Sequence, residues 1–372
     1  MPALHEFARE QLAEIARGSL TRSLRPTERL GGARVRRGGR LYTSFSCNDY
    51  LGLAHDPRVI AAAHAAIDRS GAGAGASRLV TGCHAEYAEL ENLLAQWKGA
   101  ERALVFGSGY LANLGLIPAL AGKPDLILAD RLSHACTWDG VKLSGAKLIR
   151  FGHNDLDHCR ALLREHRAGS ARCLILSETV FSMDGDLSPL SGLAELAREF
   201  DAWLITDDAH GLGISESHGA DIQMGTLSKA AGSYGGYVCA RREVIAFLEN
   251  RARSLIFSTG LPPASVAAAA AAVKIMMADP ELARKPVENA RLFTSALARP
   301  PAQSPIVPVI VGEPERALAA SAMLESEGFL VVPIRPPTVP PGSARLRFAF
   351  SVHHDAESID RVASLLKRHG YV

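Results

Sequence analysis

Asp207 and His210 stand in Asp207-Asp208-Ala209-His210-Gly211, and Lys229 follows in Thr226-Leu227-Ser228-Lys229. A carboxylate can hold a pyridine nitrogen protonated, an imidazole can hydrogen-bond a ring hydroxyl, and a lysine amine can form a Schiff base with an aldehyde. Those three chemistries serve one electron sink, and together they suggest pyridoxal phosphate. Each residue alone is weak evidence, because Asp-rich strand ends are common and a lysine is usually a solvated charge. Composition sharpens the reading: the lysines are Lys98, Lys123, Lys142, Lys147, Lys229, Lys274, Lys285 and Lys367, and of these Lys229 alone lies in a Gly/Ser/Thr-rich turn between apolar segments. Arginine could not replace it, since a guanidinium stays protonated and forms no imine.

Further groups suited to such a cofactor lie elsewhere in the chain. In Gly107-Ser108-Gly109-Tyr110, small residues separate a predicted strand from a predicted helix, so free amides and the Ser108 hydroxyl can receive a phosphate. Tyr110 can cover the ring or bond the phosphate. His134, in Asp130-Arg131-Leu132-Ser133-His134, follows another predicted strand and can stack on the ring. Ser182 is a candidate cofactor partner and Glu178 a candidate substrate contact, both in Glu178-Thr179-Val180-Phe181-Ser182. The next residues, Asp184-Gly185-Asp186, read as a turn, because Asp-Gly is a strong turn signal and no metal-ligand pattern surrounds it. The Gly71-Ala72-Gly73-Ala74-Gly75 run matches neither Walker nor dinucleotide spacing and reads as a flexible loop near the site. Asn48, in Asn48-Asp49-Tyr50-Leu51-Gly52, can reach substrate or cofactor. In Ala344-Arg345-Leu346-Arg347-Phe348, strand alternation places Arg345 and Arg347 on one face, and one of them can grip a carboxylate.

The elements that must position these groups alternate. Short β-type runs at 103–106, 126–129, 147–151, 173–177, 203–207 and 236–240 are separated by helical patterns such as 86–97, 157–166 and 189–200. That alternation predicts an α/β fold, a mostly parallel central sheet with helices on both faces and ligands at the carboxyl ends of its strands. The expected organisation is an N-terminal helical arm over 1–41, a large cofactor-binding domain over 42–262, and a small C-terminal α+β domain over 263–372 that opens with a long Ala-rich linking helix. The arm turns basic from Arg22 through Arg25 to Arg40, and Arg25 is a candidate contact for an anionic substrate.

With 372 residues, 47% of them hydrophobic, the chain can bury a large core. A net charge of +2 without a block of basic residues speaks against a nucleic-acid partner. Its six cysteines show no Cys-x-x-Cys pair or metal spacing, and they suit a reducing compartment. The first 17 residues carry Glu6, Glu10 and Glu14 and lack a signal-peptide core, and the apolar run at 264–278 is too short to span a bilayer. A soluble, cytoplasmic protein without a membrane partner is expected.

Taken together, Asn48-Asp49-Tyr50-Leu51-Gly52-Leu53, Ser108-Gly109-Tyr110, Asp130-Arg131-Leu132-Ser133-His134, Phe181-Ser182-Met183-Asp184-Gly185-Asp186, Asp207-Asp208-Ala209-His210-Gly211, Thr226-Leu227-Ser228-Lys229 and Phe257-Ser258-Thr259-Gly260-Leu261 resemble the α-oxoamine synthases, a branch of the fold-type-I pyridoxal-phosphate enzymes. The resemblance runs over nearly the whole chain and implies a decarboxylating acyl transfer. Within the family, the run from Ile334 to Arg347 looks most like members that join L-alanine to pimeloyl-CoA or another pimeloyl carrier thioester. The resemblance further implies that Lys229 holds the cofactor and then moves the α-proton. It has His134 stack on the ring, His210 and Ser182 bond the ring hydroxyl, and Arg347, with Arg345 as fallback, hold the substrate carboxylate. It also implies a homodimer, with Thr259 reaching the phosphate in the neighbouring subunit. A sister enzyme using glycine or serine, an aminotransferase of the same fold and a catalytically silent homologue stay open as alternatives.

Overall fold

Seven short strands lie side by side: β1 (Arg102–Phe106), β2 (Leu126–Asp130), β3 (Lys147–Phe151), β4 (Cys173–Glu178), β5 (Trp203–Asp207), β6 (Ile222–Thr226) and β7 (Gly236–Ala240). The computed structural model describes residues 3–215 and 219–372, so the first two residues of the expected arm lie outside the described residues. The strand order is β1-β7-β6-β5-β4-β2-β3. Strands β2 to β6 run parallel, and β7 is antiparallel to both its neighbours. The carboxyl ends of β1, β2, β4, β5 and β6 therefore point to one edge. The mostly parallel sheet with helices on both faces is thus as expected.

Parallel strands are covered on both faces and must be apolar on both. Ile127, Leu174, Leu176, Ile205, Met224 and Val238 bury one face with Leu116, Ile117 and Leu120 of helix Gly109–Leu120. Leu126, Leu128, Ile175 and Leu204 bury the other with Leu163 of helix Leu156–His166 and Leu193 and Leu196 of helix Leu190–Glu199. Strand β6 was not foreseen in the sequence, because Gln223 and Gly225 interrupt its apolar run.

By its contacts the chain falls into two compact units, one of residues 51–182 and 186–284, the other of 1–50, 183–185 and 285–372. These limits differ from the expected boundaries at 41/42 and 262/263. Strand Phe329–Leu330 pairs with Arg40–Ser44, and Phe45 sits among Phe293, Phe329, Phe348 and Phe350, which draws the N-terminal segment into the second unit. The Ala-rich helix Pro263–Ala278 packs instead on helices Pro57–Ser70 and Glu86–Lys98 of the first unit, where its small side chains permit close approach. In the second unit, strands Ile306–Gly312, Ala344–Ala349 and Pro333–Ile334 form an antiparallel sheet. Helix Leu4–Arg17 buries none of its residues.

Candidate active site

Asp207 ends β5 and is 9% exposed. Its Oδ2 accepts from Asn113 Nδ2 at 3.1 Å and its Oδ1 from the Ala209 amide at 2.9 Å. Burial raises this carboxyl above the ordinary range, and the charge of Lys229, the Ala209 amide and His134 pull it back. A carboxylate so enclosed is held anionic by cations facing it, and a protonated ring nitrogen is one. Asn113 comes from helix Gly109–Leu120, which starts at the same sheet edge.

That helix also offers an anion site. Ser108 caps it, its hydroxyl accepting from the Leu111 amide at 3.2 Å. The approach to this turn is tight: a Cβ on Gly236 would lie 2.4 Å from the Ser108 carbonyl, and one on Gly109 would lie 3.3 Å from the Thr226 Cβ. Free amides at the start of a long helix, beside a serine and a threonine, suit a phosphate. Thr226 Oγ1 donates to the Gly235 carbonyl at 2.8 Å and lies 2.8 Å from Ser228 Oγ. Tyr110 is half exposed and donates its hydroxyl to Asp139.

His134 caps helix Ala135–Ser144, and its Nδ1 accepts from the Cys136 amide at 3.3 Å. Burial holds its pKa below the usual value, with Asp207 opposing and Lys229 reinforcing. The Cys136 thiol, pushed up to about 12 by burial and Asp207, stays neutral 2.9 Å from the same nitrogen. His134 is therefore a neutral imidazole with its proton on Nε2, suited to lie flat against an aromatic ring.

Glu178 ends β4 buried, and burial and Asp207 push its carboxyl up to about 8 against the pull of Lys229. Its carboxyl receives the amides of Ser182, at 3.2 Å, and His134. One oxygen, Oε1, has no partner among the described residues. Ser182 and His210 are both buried, and Lys229 is half-buried, its charge felt by Asp207, Glu178 and His134. These residues bring an imine-forming amine, a buried carboxylate and a phosphate cradle to one edge, so they fit pyridoxal phosphate.

Sequence reading missed two supports. Asn113 orients Asp207 from 94 residues away. Lys98, which nothing in its local sequence singles out, is buried and paired with Asp208, which also accepts from Thr179. The Asp208 carboxylate has no measurable exposure, so Lys98 neutralises a charge next to Asp207.

Thr259 is exposed and bridges to Ser77. Asn48, Arg25, Arg345 and Arg347 belong to the second unit. Both strand arginines are buried. Arg345 donates to Asp184 Oδ1 at 2.7 Å, whereas Arg347 donates to the neutral Asn48 Oδ1 at 3.1 Å and Tyr50 hydroxyl at 3.4 Å. Arg25 is exposed, 3.9 Å from Glu325. Asp184-Gly185-Asp186 is a turn as expected, with Gly185 at φ 77° and a Cβ there only 2.1 Å from the Ile306 carbonyl.

A profile described as aminotransferase class I and II matches residues 42–366. The chain is 58% identical over 370 residues to the 8-amino-7-oxononanoate synthase of Methylobacterium nodulans, covering 99% of this chain and 98% of that protein. It is also similar to a solved serine palmitoyltransferase described with its pyridoxal phosphate internal aldimine, with TM-score 0.93, 27% identity and full coverage of both chains. The 8-amino-7-oxononanoate synthase of Francisella tularensis matches with TM-score 0.75 and 26% identity, over 89% of this chain and 99% of that one. A buried carboxylate, a lysine amine and a phosphate cradle on this sheet edge agree with those likenesses: the chain belongs to the pyridoxal-phosphate-dependent aminotransferase class I and II family, in its 8-amino-7-oxononanoate synthase branch.

Proposed function

We propose that the protein joins L-alanine to a pimeloyl thioester, the coenzyme A ester or a pimeloyl carrier protein, giving 8-amino-7-oxononanoate, free thiol and carbon dioxide in biotin biosynthesis. The observation that carries this reading is the enclosed Asp207 carboxylate facing the charge of Lys229, in a chain 58% identical to a synthase of that name. Pyridoxal phosphate, when bound, supplies the sink for electrons left on the amino-acid α-carbon.

The chain's own residues do the rest. Asp207, held by Asn113 and Ala209, keeps a proton on the ring nitrogen. The Ser108 hydroxyl, the amides from Gly109 onward and Thr226 receive the phosphate, and Tyr110 borders them. Lys229 would hold the cofactor, and its free amine would take the α-proton as general base. The α-carbon bonds to the thioester carbonyl and the carbon–sulfur bond breaks. The carboxylate then leaves as carbon dioxide and Lys229 returns a proton. Neutral His134 would pack on the ring and offer Nε2–H to the new carbonyl oxygen, while His210 and Ser182 would hold the ring hydroxyl. Glu178 and Asn48 border the substrate.

Arg347 receives the substrate carboxylate, its guanidinium able to bond it through paired donors, because Arg345 is taken by Asp184. Arg25 meets the anionic end of the thioester. A homodimer completed by Thr259 is supported by exposed apolar side chains in the same unit: Phe257 is 71% exposed, Val80 74% and Tyr234 53%. Among the described residues no helix is long and apolar enough to cross a membrane, and we place the enzyme in the cytoplasm, where its free cysteines stay reduced.

The test is a screen of reconstituted protein with alanine, glycine and serine against acyl thioesters of graded length. Release of thiol and carbon dioxide with alanine and the pimeloyl ester above all other pairs supports the reading. Preference for glycine or serine with another chain assigns a sister activity.

A further inference from the structure

His153 was not among the expected site residues, yet both its ring nitrogens face carboxylates. Its Nδ1 lies 3.0 and 3.2 Å from the two oxygens of Asp130, and its Nε2 lies 2.7 Å from Asp186 Oδ2. A neutral imidazole has one N–H and one lone pair, so one of these contacts would set lone pair against lone pair. Only the doubly protonated ring donates in both directions. The side chain is 16% exposed and Asp130 is fully buried, so solvent does little to screen the pair.

The two carboxylates belong to two site-bearing loops. Asp130 ends β2, its Oδ1 accepts from the Leu132 amide at 2.8 Å, and its carbonyl accepts from the Ser133 amide at 3.0 Å, which winds the turn into His134. Asp186 closes the loop after β4, where the Phe181 amide donates to the Asp186 carbonyl at 3.0 Å immediately before Ser182. The Phe181 ring stands edge-on to His153, centroids 4.4 Å apart. Asn154, in a left-handed conformation at φ 54°, repeats the bridge: its amide donates to Asp130 Oδ2 at 2.8 Å and its Nδ2 to Asp186 Oδ2 at 2.9 Å. Glu178 joins the same loops at the site by accepting the amides of His134 and Ser182.

We propose that His153 is a positioning residue: an imidazolium that locks the His134 loop to the Ser182 loop and so fixes the ring-contacting groups. The proposal rests on the pyridoxal-phosphate reading of the site. Asp130 and Asp186 are the charged groups that face the ring. Burial alone would lower the His153 pKa, but the hydrogen bonds to Asp130 and Asp186 outweigh it and carry the value to about 10. A value raised from the ordinary 6.5 means that the clamp is fully present below pH 6.5 and is lost as pH rises through about 10.

The experiment compares wild type with His153→Gln, both stripped of cofactor and titrated with pyridoxal phosphate between pH 6.5 and 10, alongside KM and kcat for alanine. Near neutral pH the variant is expected to bind the cofactor about tenfold or more weakly and to lose kcat by a similar factor, with KM little changed. The gap should close towards pH 10. An equal gap at every pH, or none, overturns the proposal. Should the variant fold poorly, nitrogen-15 histidine spectra of wild-type holoprotein at pH 8.5 decide: two protonated ring nitrogens on His153 support the clamp, and one sinks it. Wild type that fails to bind pyridoxal phosphate refutes the functional reading, whereas active wild type with a singly protonated His153 refutes only the clamp.

Discussion

In the proposed function Asp207 faces the ring nitrogen and Lys229 takes up the cofactor aldehyde. Lys229→Ala is expected to lower turnover by roughly 10²–10⁴-fold or more while leaving a folded protein, read by steady-state rates beside a melting curve. Parent-rate turnover would remove Lys229 from its role. Asn113→Ala removes a hydrogen bond to a charged acceptor and should weaken cofactor binding by about 1.5–3 kcal/mol, measured by pyridoxal phosphate titration of the stripped protein. Lys98→Met leaves the Asp208 carboxylate buried and uncompensated, a loss of about 3–5 kcal/mol in denaturant unfolding, and adding Asp208→Asn should recover most of it. Additive effects of that pair would argue against the ion pair. The roles proposed for Asp207, His210 and Lys229 can be read from the sequence because their chemistry is irreplaceable and their local setting distinctive. Asn113 and Lys98 carry no such signature: they meet their partners 94 and 110 residues away, and only the fold brings them there.

Strands β2, β4 and β5 were legible as uninterrupted apolar runs, since both their faces are covered. Strand β6 was not, since Gly225 is required under the Tyr237 ring, where a Cβ would meet the hydroxyl at 2.4 Å, and packing rather than propensity makes it a strand. Close backbone approach likewise explains Gly236 in β7. Gly236→Ala should push the Ser108 turn out of place, costing about 1–3 kcal/mol of stability and much of the affinity for pyridoxal phosphate. Normal cofactor affinity in that variant would show that the turn does not need this approach. The second unit has its own pH device in His354, which stacks on Phe45 at 4.1 Å and accepts the Ser351 amide on Nδ1 at 2.9 Å. Burial lowers its pKa to about 4 from 6.5, so its contribution is present above pH 6.5 and is lost as pH falls through about 4. His354→Gln should flatten the acid limb of thermal stability between those values.

At the scale of the molecule, the alternation of strands and helices announced the sheet, but the division of the chain did not follow sequence order. Residues 1–50 join 285–372 because a strand pairing and an aromatic core close between segments far apart in the chain, and no local pattern encodes such a pairing. The chemistry assigned to the whole needs alanine, thioester and cofactor together. The most direct measurement adds L-alanine and pimeloyl-coenzyme A, singly and then jointly, to pyridoxal-phosphate-loaded protein while free thiol and carbon dioxide are followed. Equal amounts of both products appearing only when the two substrates are present, with 8-amino-7-oxononanoate recovered, is the predicted result. Thiol without carbon dioxide, or no product from a protein that has bound its cofactor, would contradict the account.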